Sequence, residues 1–540
     1  MTTSIGEALV QYLEASGVEV IFGIPGVHTI ELYRGLAQSG IRHITARHEQ
    51  GIGFMADGYA RVSGRPGVCF VITGPGMTNI LTPMAQARAD SVPMLVVSGV
   101  NERASLGLGL GHLHELPNQH ALCAQVAMTS TQVSQQEALL PTLDQAFEGF
   151  SNKRPGPVHI QIPIDVMGLD FELLTDQIHE AGHSTESAIP SVESAAKQLA
   201  QSNKIVILAG GGTRHAEASL TQLAEYLSAP VVLTSNARGL MHQHPLCVPA
   251  SPSLQAVREL IAEADCVLAL GTEMGSTDYD MYRNNEFPPL KALIRVDICP
   301  QQLAKHPAGI CLQGDTKSVL ESLLQRLQTL SPTPPASFNK SQSHQRAEQT
   351  RADAFAELPE NYRQHIQLLN LMRDTYPNAI LVGDSTQLVY AGSMYYDHDC
   401  AGGWFHAATG YGALGYGIPA AIGAALAAPE RQVICITGDG GAQFSFAELM
   451  VAVQEQLPII FIVWNNQGYL EIENAMLEVD IVAVGCDPIP PSFEYLAKAC
   501  AMPYLACSAE RESLEVALGE GKKVIQASDR KQPIMIEISV

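Results

Sequence analysis

Short apolar runs that end near a glycine, each followed by a helical pattern, recur along the whole chain. EVIFGI, GVCFVIT, PMLVVSGV and PVHIQIPIDV lie in its first part, KIVILAGGG, APVVLTSN, CVLALGTEM and ALIRVDI in its middle, and AILVGDS, QVICITGDG, PIIFIVWNN and PIMIEISV in its last. Stretches such as IGEALVQYLEASG and IGFMADGYARVSG carry helical periodicity between them. Strand and helix alternating at this spacing predict parallel sheets with helices on both faces. The 540 residues are too many for one core. The expected architecture is therefore α/β, with three doubly wound domains at 1–170, 190–330 and 360–540. Two polar breaks separate them, TDQIHEAGHSTESAIPS and SPTPPASFNKSQSHQRAEQTR, and the second reads as a surface linker. RPGPVHIQIPIDV and RKQPIMIEISV close the first and last segments alike, a hint that the outer two domains are related.

Charge narrows the function. A net charge of -23 speaks against nucleic acid or an anionic membrane as partner, because neutralising phosphates requires clustered Lys and Arg. The longest apolar runs are too short to span a bilayer, and no basic segment precedes an apolar one at the N-terminus. The 11 cysteines form no CxxC pair and read as buried free thiols of a cytoplasmic protein.

One stretch carries chemistry: ITGDGGAQFSFAELMVAVQEQLPIIFIVWNNQGY, from Ile436 to Tyr469. It reads as strand, glycine loop, helix, strand. In a right-handed crossover the C-terminal ends of both strands share one sheet edge, where α/β sheets bind ligands. Asp439 is thus expected beside Asn465 and Asn466. A carboxylate, side-chain amides and a backbone carbonyl form an incomplete oxygen shell of the kind that holds Mg²⁺ with phosphate oxygens. Gly438 and Gly440 would let the backbone approach a diphosphate closely. Either motif alone is an ordinary turn; the joint spacing is what points to a ligand.

This GDG…NN pair resembles the signature of thiamine diphosphate (ThDP) enzymes, and the likeness extends over nearly the whole chain, most closely to the acetolactate synthase/2-oxo acid decarboxylase group. The resemblance implies a ThDP- and Mg²⁺-dependent enzyme acting on a small 2-oxo acid. Asp439, Asn466 and the carbonyl of Gly468 would hold the metal, with Asn465 supporting the loop. Glu49, in RHEQGIGFMADGYARVSGRPGV, stands where the family has the glutamate that hydrogen-bonds N1′ of the aminopyrimidine and so activates the cofactor at C2. Pro25, Thr73, Gly74 and Asn79 would line the pyrimidine. The Gly412 carbonyl would accept the 4′-amino proton, and Leu414 would be the wedge beneath the bent cofactor. Family members place the activating glutamate and the metal site on different subunits, which implies a homodimer or homotetramer.

Other residues concern the substrate. His114 stands where acetolactate synthases have a glutamine, and His112 and His114 could together return a proton after decarboxylation. Val27, His28 and Leu470 would border the substrate. Glu471 and Glu473, in YLEIENAMLEVD, would suit a cationic tail, ideally a guanidinium. IPGVHTIELYR, RHEQG and LHELPNQ also resemble the 5-guanidino-2-oxopentanoate (2-ketoarginine) decarboxylases. In the middle domain KIVILAGGGT resembles the glycine loop that holds FAD in acetolactate synthases. HPLCVPASPSLQAV and LGTEMGSTDYDMYR lack the flavin-binding stretches, which puts FAD in doubt. The expected activity is non-oxidative decarboxylation. The alternatives are joining two 2-oxo acids, as acetolactate synthase does, or an inactive ThDP-binding regulatory homologue, against which the joint presence of Glu49, Asp439 and Asn466 speaks.

Overall fold

The computed structural model describes residues 3–172, 189–275, 290–331, 338–527 and 531–540. Three six-stranded sheets organise them, and every strand pair within the three is parallel. The α/β class with three parallel sheets is thus the one expected. In space the first sheet runs Arg42–Thr45, Val20–Gly23, Gly67–Val71, Met94–Val100, Pro157–Pro163, Thr129–Gln132. The last runs Trp404–His406, Ile380–Gly383, Val433–Gly438, Ile459–Asn465, Ile534–Ser539, Tyr504–Ser508. Numbered within each sheet, both have the order 2-1-3-4-6-5. The shared ending of the two segments therefore reflects a shared topology. The middle sheet has the order 3-2-1-4-5-6, that of dinucleotide-binding folds. A two-stranded pair, Thr3–Ser4 with Asp170–Phe171, fastens the N-terminus to the end of the first sheet's segment.

In an open sheet, ligands bind beyond the strand C-termini where the winding reverses. In the two outer sheets that point lies between the first and third strands. It places the loops after Gly23 and Val71 together in one sheet, and those after Gly383 and Gly438 together in the other.

The outer two units are joined by helices Glu49–Ser63 and Gly417–Ala427, which cross at backbone contact. A methyl group at Gly58 would collide with the Ala420 carbonyl, and one at Gly423 with the Met55 carbonyl. The small residues of GYGIPAAIGAAL thus do serve close helix packing. A buried polar cluster locks the same crossing. Arg61 pairs with Asp57 at 2.6 Å and with Asp90 at 2.5 Å, and the Tyr416 hydroxyl donates to Asp57 at 2.5 Å. Pairing is what makes such buried charges tolerable, although Asp57 Oδ2 is left without a hydrogen-bond partner.

The linker reading of 331–351 needs correction. Lys340–Glu357 is an 18-residue helix, capped by Asn339, whose side chain accepts from the Gln342 N–H. It escapes a hydrophobicity reading because its buried seam is made of small residues: Ser343, Ala347, Thr350 and Ala354. Arg351 on its flank donates to the carbonyls of Pro245 and Cys247. The first polar break, at 175–191, lies almost wholly outside the described residues. Of the cysteines, Cys311 is exposed and Cys299, Cys400 and Cys507 are half-buried, so the thiols are not uniformly interior; none is paired. Among the described residues no helix is long and apolar enough to cross a membrane.

Candidate active site

Strands Val433–Gly438 and Ile459–Asn465 run side by side with Gly438 opposite Trp464. This register sets Asp439 next to Asn466. Asp439 is 2% exposed, and its Oδ2 has no hydrogen-bond partner. The Asn466 side-chain oxygen lies 3.2 Å from Asp439 Oδ1 and 2.9 Å from the Gly468 carbonyl oxygen. With its oxygen inward this amide completes an oxygen shell for a cation; with its nitrogen inward it hydrogen-bonds to both neighbours. Its other end lies 3.4 Å from Gln387 Oε1. An orphaned buried carboxylate oxygen and convergent hard donors fit a divalent ion such as Mg²⁺. Burial raises the Asp439 carboxyl above its ordinary value, and an adjacent cation would oppose that shift.

The shell is held from behind. Asn465 Nδ2 donates to Glu537 at 2.7 Å, the Tyr504 hydroxyl donates to the other Glu537 oxygen at 2.6 Å, and Asn465 Oδ1 accepts the Gln467 N–H at 3.1 Å. The first asparagine of the pair thus braces the turn while the second points into the site. Gly440 is required by crowding, because any Cβ there would strike the Tyr469 ring. Asp384, fully buried after the first strand of this sheet, accepts the N–H groups of Ser385 and Gly417. Burial pushes its carboxyl up to about 6.

Glu49 opens the helix Glu49–Ser63 and is half-buried within one chain. Asn79 Nδ2 donates to its Oε2 at 2.9 Å, so two expected cofactor contacts orient each other. Thr73 and Gly74 are buried, and both donate to Gln119 Oε1, at 2.7 and 3.2 Å. Gly74 takes φ +65°, and a Cβ there would press on the His114 backbone. The loop bearing Thr73 and Gly74 is therefore packed against the loop bearing His114.

The histidines are arranged differently from the expectation of a His112–His114 pair. His112 is exposed, whereas the His114 ring lies 5.3 Å from that of His28. The reason is local: Glu115 collects the N–H groups of Leu110, Gly111 and His112 and folds that loop outward, while His114 turns in with φ +60°. His28 is buried, with Asn101 Nδ2 3.5 Å from its Nε2. Burial first, and then His114, hold His28 below its ordinary value.

Pro25, Val27 and Gly412 are exposed in the single chain and Leu414 is half-buried. Gly412 adopts φ +74°, which only glycine takes without strain. Leu470, Glu471 and Glu473 lie on the helix Leu470–Leu477 and are half-buried. Glu471 turns inward, accepting Gln387 Nε2 at 2.8 Å, and Gln387 Oε1 also accepts the Trp464 indole N–H at 2.9 Å. Gln387 and Gln119 are site residues that sequence reading missed. Gln387 had a usable signal, since it follows AILVGDS at the same sheet edge as GDG.

A cavity of 910 Å³ lies where the three domains meet, lined by Arg88 and Arg154 of the first, Gly211, Arg214 and Asp297 of the middle and Trp404 of the last, among others. Arg154 pairs with Glu273, and burial brings Arg214 down to about 10. The wall carries both signs, with Arg61 paired to Asp90 and Lys305 also beside Glu273, so its charge assigns no ligand. The whole of the altered stretch STDYDMYR lies outside the described residues.

This arrangement, an oxygen shell at one α/β switch point and a helix-opening glutamate near another, defines a cofactor-dependent enzyme of the thiamine type. Family profiles agree across the chain: the thiamine pyrophosphate enzyme N-terminal TPP binding domain matches residues 3–126, the central domain 192–323 and the C-terminal TPP binding domain 384–538. The chain belongs to the thiamine diphosphate enzyme family. It is 42% identical over 505 residues to a probable 2-ketoarginine decarboxylase, AruI, of Pseudomonas aeruginosa, covering 92% of this chain and 88% of the relative. It is 32% identical over 471 residues to the acetolactate synthase isozyme 1 large subunit of Escherichia coli, covering 86% and 81%. A probable acetolactate synthase large subunit of Methanocaldococcus jannaschii is 31% identical over 477 residues, covering 85% and 80%.

Proposed function

We propose that this protein is a ThDP- and Mg²⁺-dependent decarboxylase of a 2-oxo acid with a cationic tail, 5-guanidino-2-oxopentanoate being the best fit. The observation that carries the reading is Gln387, whose one amide touches both Asn466 and Glu471. It sets an acid on the rim of the cofactor's metal end. Tyr362 and Tyr390 stand close enough for the Glu471 charge to act on them. Burial chiefly, then Glu471, pushes the Tyr362 hydroxyl up to about 12, and the same two causes raise Tyr390. A carboxylate flanked by aromatic rings suits a guanidinium, through a charge-assisted pair and ring stacking. The name of the 42% identical relative supports the same substrate.

Bound ThDP would supply the electron sink for the carbanion left when CO₂ departs. The chain's residues bind, orient and manage protons. Asp439, Asn466 and Gly468 would hold Mg²⁺ and through it the diphosphate. Glu49, oriented by Asn79, would hold the proton shared with the aminopyrimidine. Gly412 would accept from the amino group, and Leu414 would support the cofactor from below. His28 and His114, whose rings are neighbours, would border the substrate and return a proton. Val27, Leu108, Leu110 and Leu113 are all more than 60% exposed in the single chain. Such an apolar rim beside the Glu49 side of the site supports a cytoplasmic homodimer or homotetramer with sites between subunits.

The test is CO₂ release and product analysis with ThDP and Mg²⁺ across pyruvate, aromatic and basic 2-oxo acids. Release from the guanidino substrate with formation of its aldehyde is the expected result. Acetolactate from pyruvate, with the guanidino acid ignored, would favour the carboligase reading that the 32% identical Escherichia coli relative represents.

A further inference from the structure

Glu448 has no place in the chemistry described so far, yet it is 1% exposed and carries a carboxylate. It closes the short turn Phe446–Glu448 that follows the glycine loop of the last domain. Both its oxygens accept the Arg47 N–H at 3.1 Å, and Oε1 also accepts the His48 N–H at 2.9 Å. Those are the two residues that precede Glu49. The helix after them keeps a glycine at position 51, where any Cβ would strike Glu448. Neighbouring contacts dock the same bend: Arg47 reaches Gln454 at 2.8 Å, and Arg42 reaches Glu455 at 2.6 Å. A buried acid clamping the N–H groups of the N-cap and of the residue before it fixes where the helix begins, and so where its first side chain points.

We propose that Glu448 is a positioning residue for Glu49: it fixes the bend before the helix and sets a second carboxylate close to the one that manages the cofactor's proton. This rests on the reading of Glu49 given above. A nearby negative charge favours a proton on Glu49 or on the group that shares it. The charged and titratable groups facing Glu448 are Arg47, His48 and Glu49. Burial, the largest cause, pushes Glu448 up to about 7, with the Arg47 and His48 N–H groups opposing and Glu49 adding to the rise. Ionising Glu448 inside the closed bend is therefore less favourable than in an opened one, where the carboxylate meets water, and the clamp loosens as pH rises through about 7.

The experiment compares full-length parent, Glu448→Gln and Glu448→Asp. The first measurement needs no cofactor: amide hydrogen exchange over residues 45–50 at about pH 6 and about pH 8. In the parent this segment should be better protected at the lower pH, once intrinsic exchange rates are divided out. In Glu448→Gln it should exchange about ten-fold faster and lose the pH dependence. The second is C2–H exchange of bound ThDP against pH. Glu448→Gln should slow it about ten-fold and move its alkaline limb to lower pH, because the shared proton leaves more easily without the neighbouring charge. Glu448→Asp should keep the limb near the parent's. ThDP affinity should change less than about three-fold, since the metal end is untouched. A Glu448→Gln protein matching the parent in both measurements would overturn the proposal. So would equal damage in both variants with an unmoved limb, which marks a merely structural residue. A parent that binds no ThDP, or whose exchange is indifferent to Glu49→Gln, would instead overturn the functional reading beneath it.

Discussion

Gln387 donates to Glu471 across 2.8 Å while its amide oxygen takes the N–H of Asn466 at 3.4 Å. Cofactor end and substrate rim thus share one side chain. Gln387→Ala should therefore damage both. ThDP affinity should weaken about three- to ten-fold as Asn466 loses its outer partner, and KM for a cationic substrate should rise as Glu471 loses its anchor. A change in only one of the two, measured by cofactor titration and steady-state kinetics, would show that the bridge has no functional weight.

Glu49→Gln should leave the fold and metal binding intact while slowing C2–H exchange of bound ThDP about 10²- to 10⁴-fold. The amide fills the same space and can still meet Asn79, but it cannot hold the proton. An exchange rate like the parent's would remove Glu49 from that role.

Asp439→Ala should weaken ThDP binding by about ten-fold or more and abolish its dependence on Mg²⁺. The convergent oxygens of Asn466 and Gly468 would then lack the charge that completes them. Titration with and without Mg²⁺ decides it: unchanged affinity and metal dependence would disprove the site.

Stability should carry the signature of Glu448. Its folded value, about 7, lies above the ordinary 4.5, so the fold binds its proton more tightly than the unfolded chain does. That contribution is complete below the ordinary value and is lost as pH rises through about 7. The Tm of the parent should fall between about pH 5 and about pH 8 by more than that of Glu448→Gln. Parallel curves for the two proteins would contradict the assignment.

The metal pocket was legible because its parts are close in sequence. Asp439 and Asn466 sit on adjacent parallel strands of one crossover, and the handedness of that crossover leaves little choice of where they meet. Glu49 was legible only through resemblance, since a lone acid at a helix start is commonplace. Glu448 was invisible because its partners lie 400 and 401 residues away. No pattern in FSFAELM announces that its glutamate will be buried beneath another domain's helix. The helix Lys340–Glu357 was missed for a different reason. Its interior face is alanine, serine and threonine, so its burial leaves almost no trace in hydrophobicity. The pairing of His28 with His114 depends on the outward fold of 110–112 around Glu115, a loop conformation that residue spacing does not encode.

The structure separates the two acids expected to read the substrate. Glu471 is drawn inward by Gln387 and stands among Tyr362 and Tyr390, whereas the Glu473 carboxylate makes no hydrogen bond among the described residues. A guanidinium meeting Glu471 in that partly dry setting gains about 1.5–3 kcal/mol. Glu471→Gln should therefore lower kcat/KM for 5-guanidino-2-oxopentanoate by about ten- to a hundred-fold. Turnover of a linear aliphatic 2-oxo acid should change little, because its tail carries no charge to pair. Glu473→Gln should have a smaller effect on the guanidino substrate. Kinetics of both variants on both substrates test the ordering. An equal fall on both substrates would mean that Glu471 only holds Gln387 in place, and a larger loss from Glu473→Gln would move the cation site to the other side of the helix's first turn.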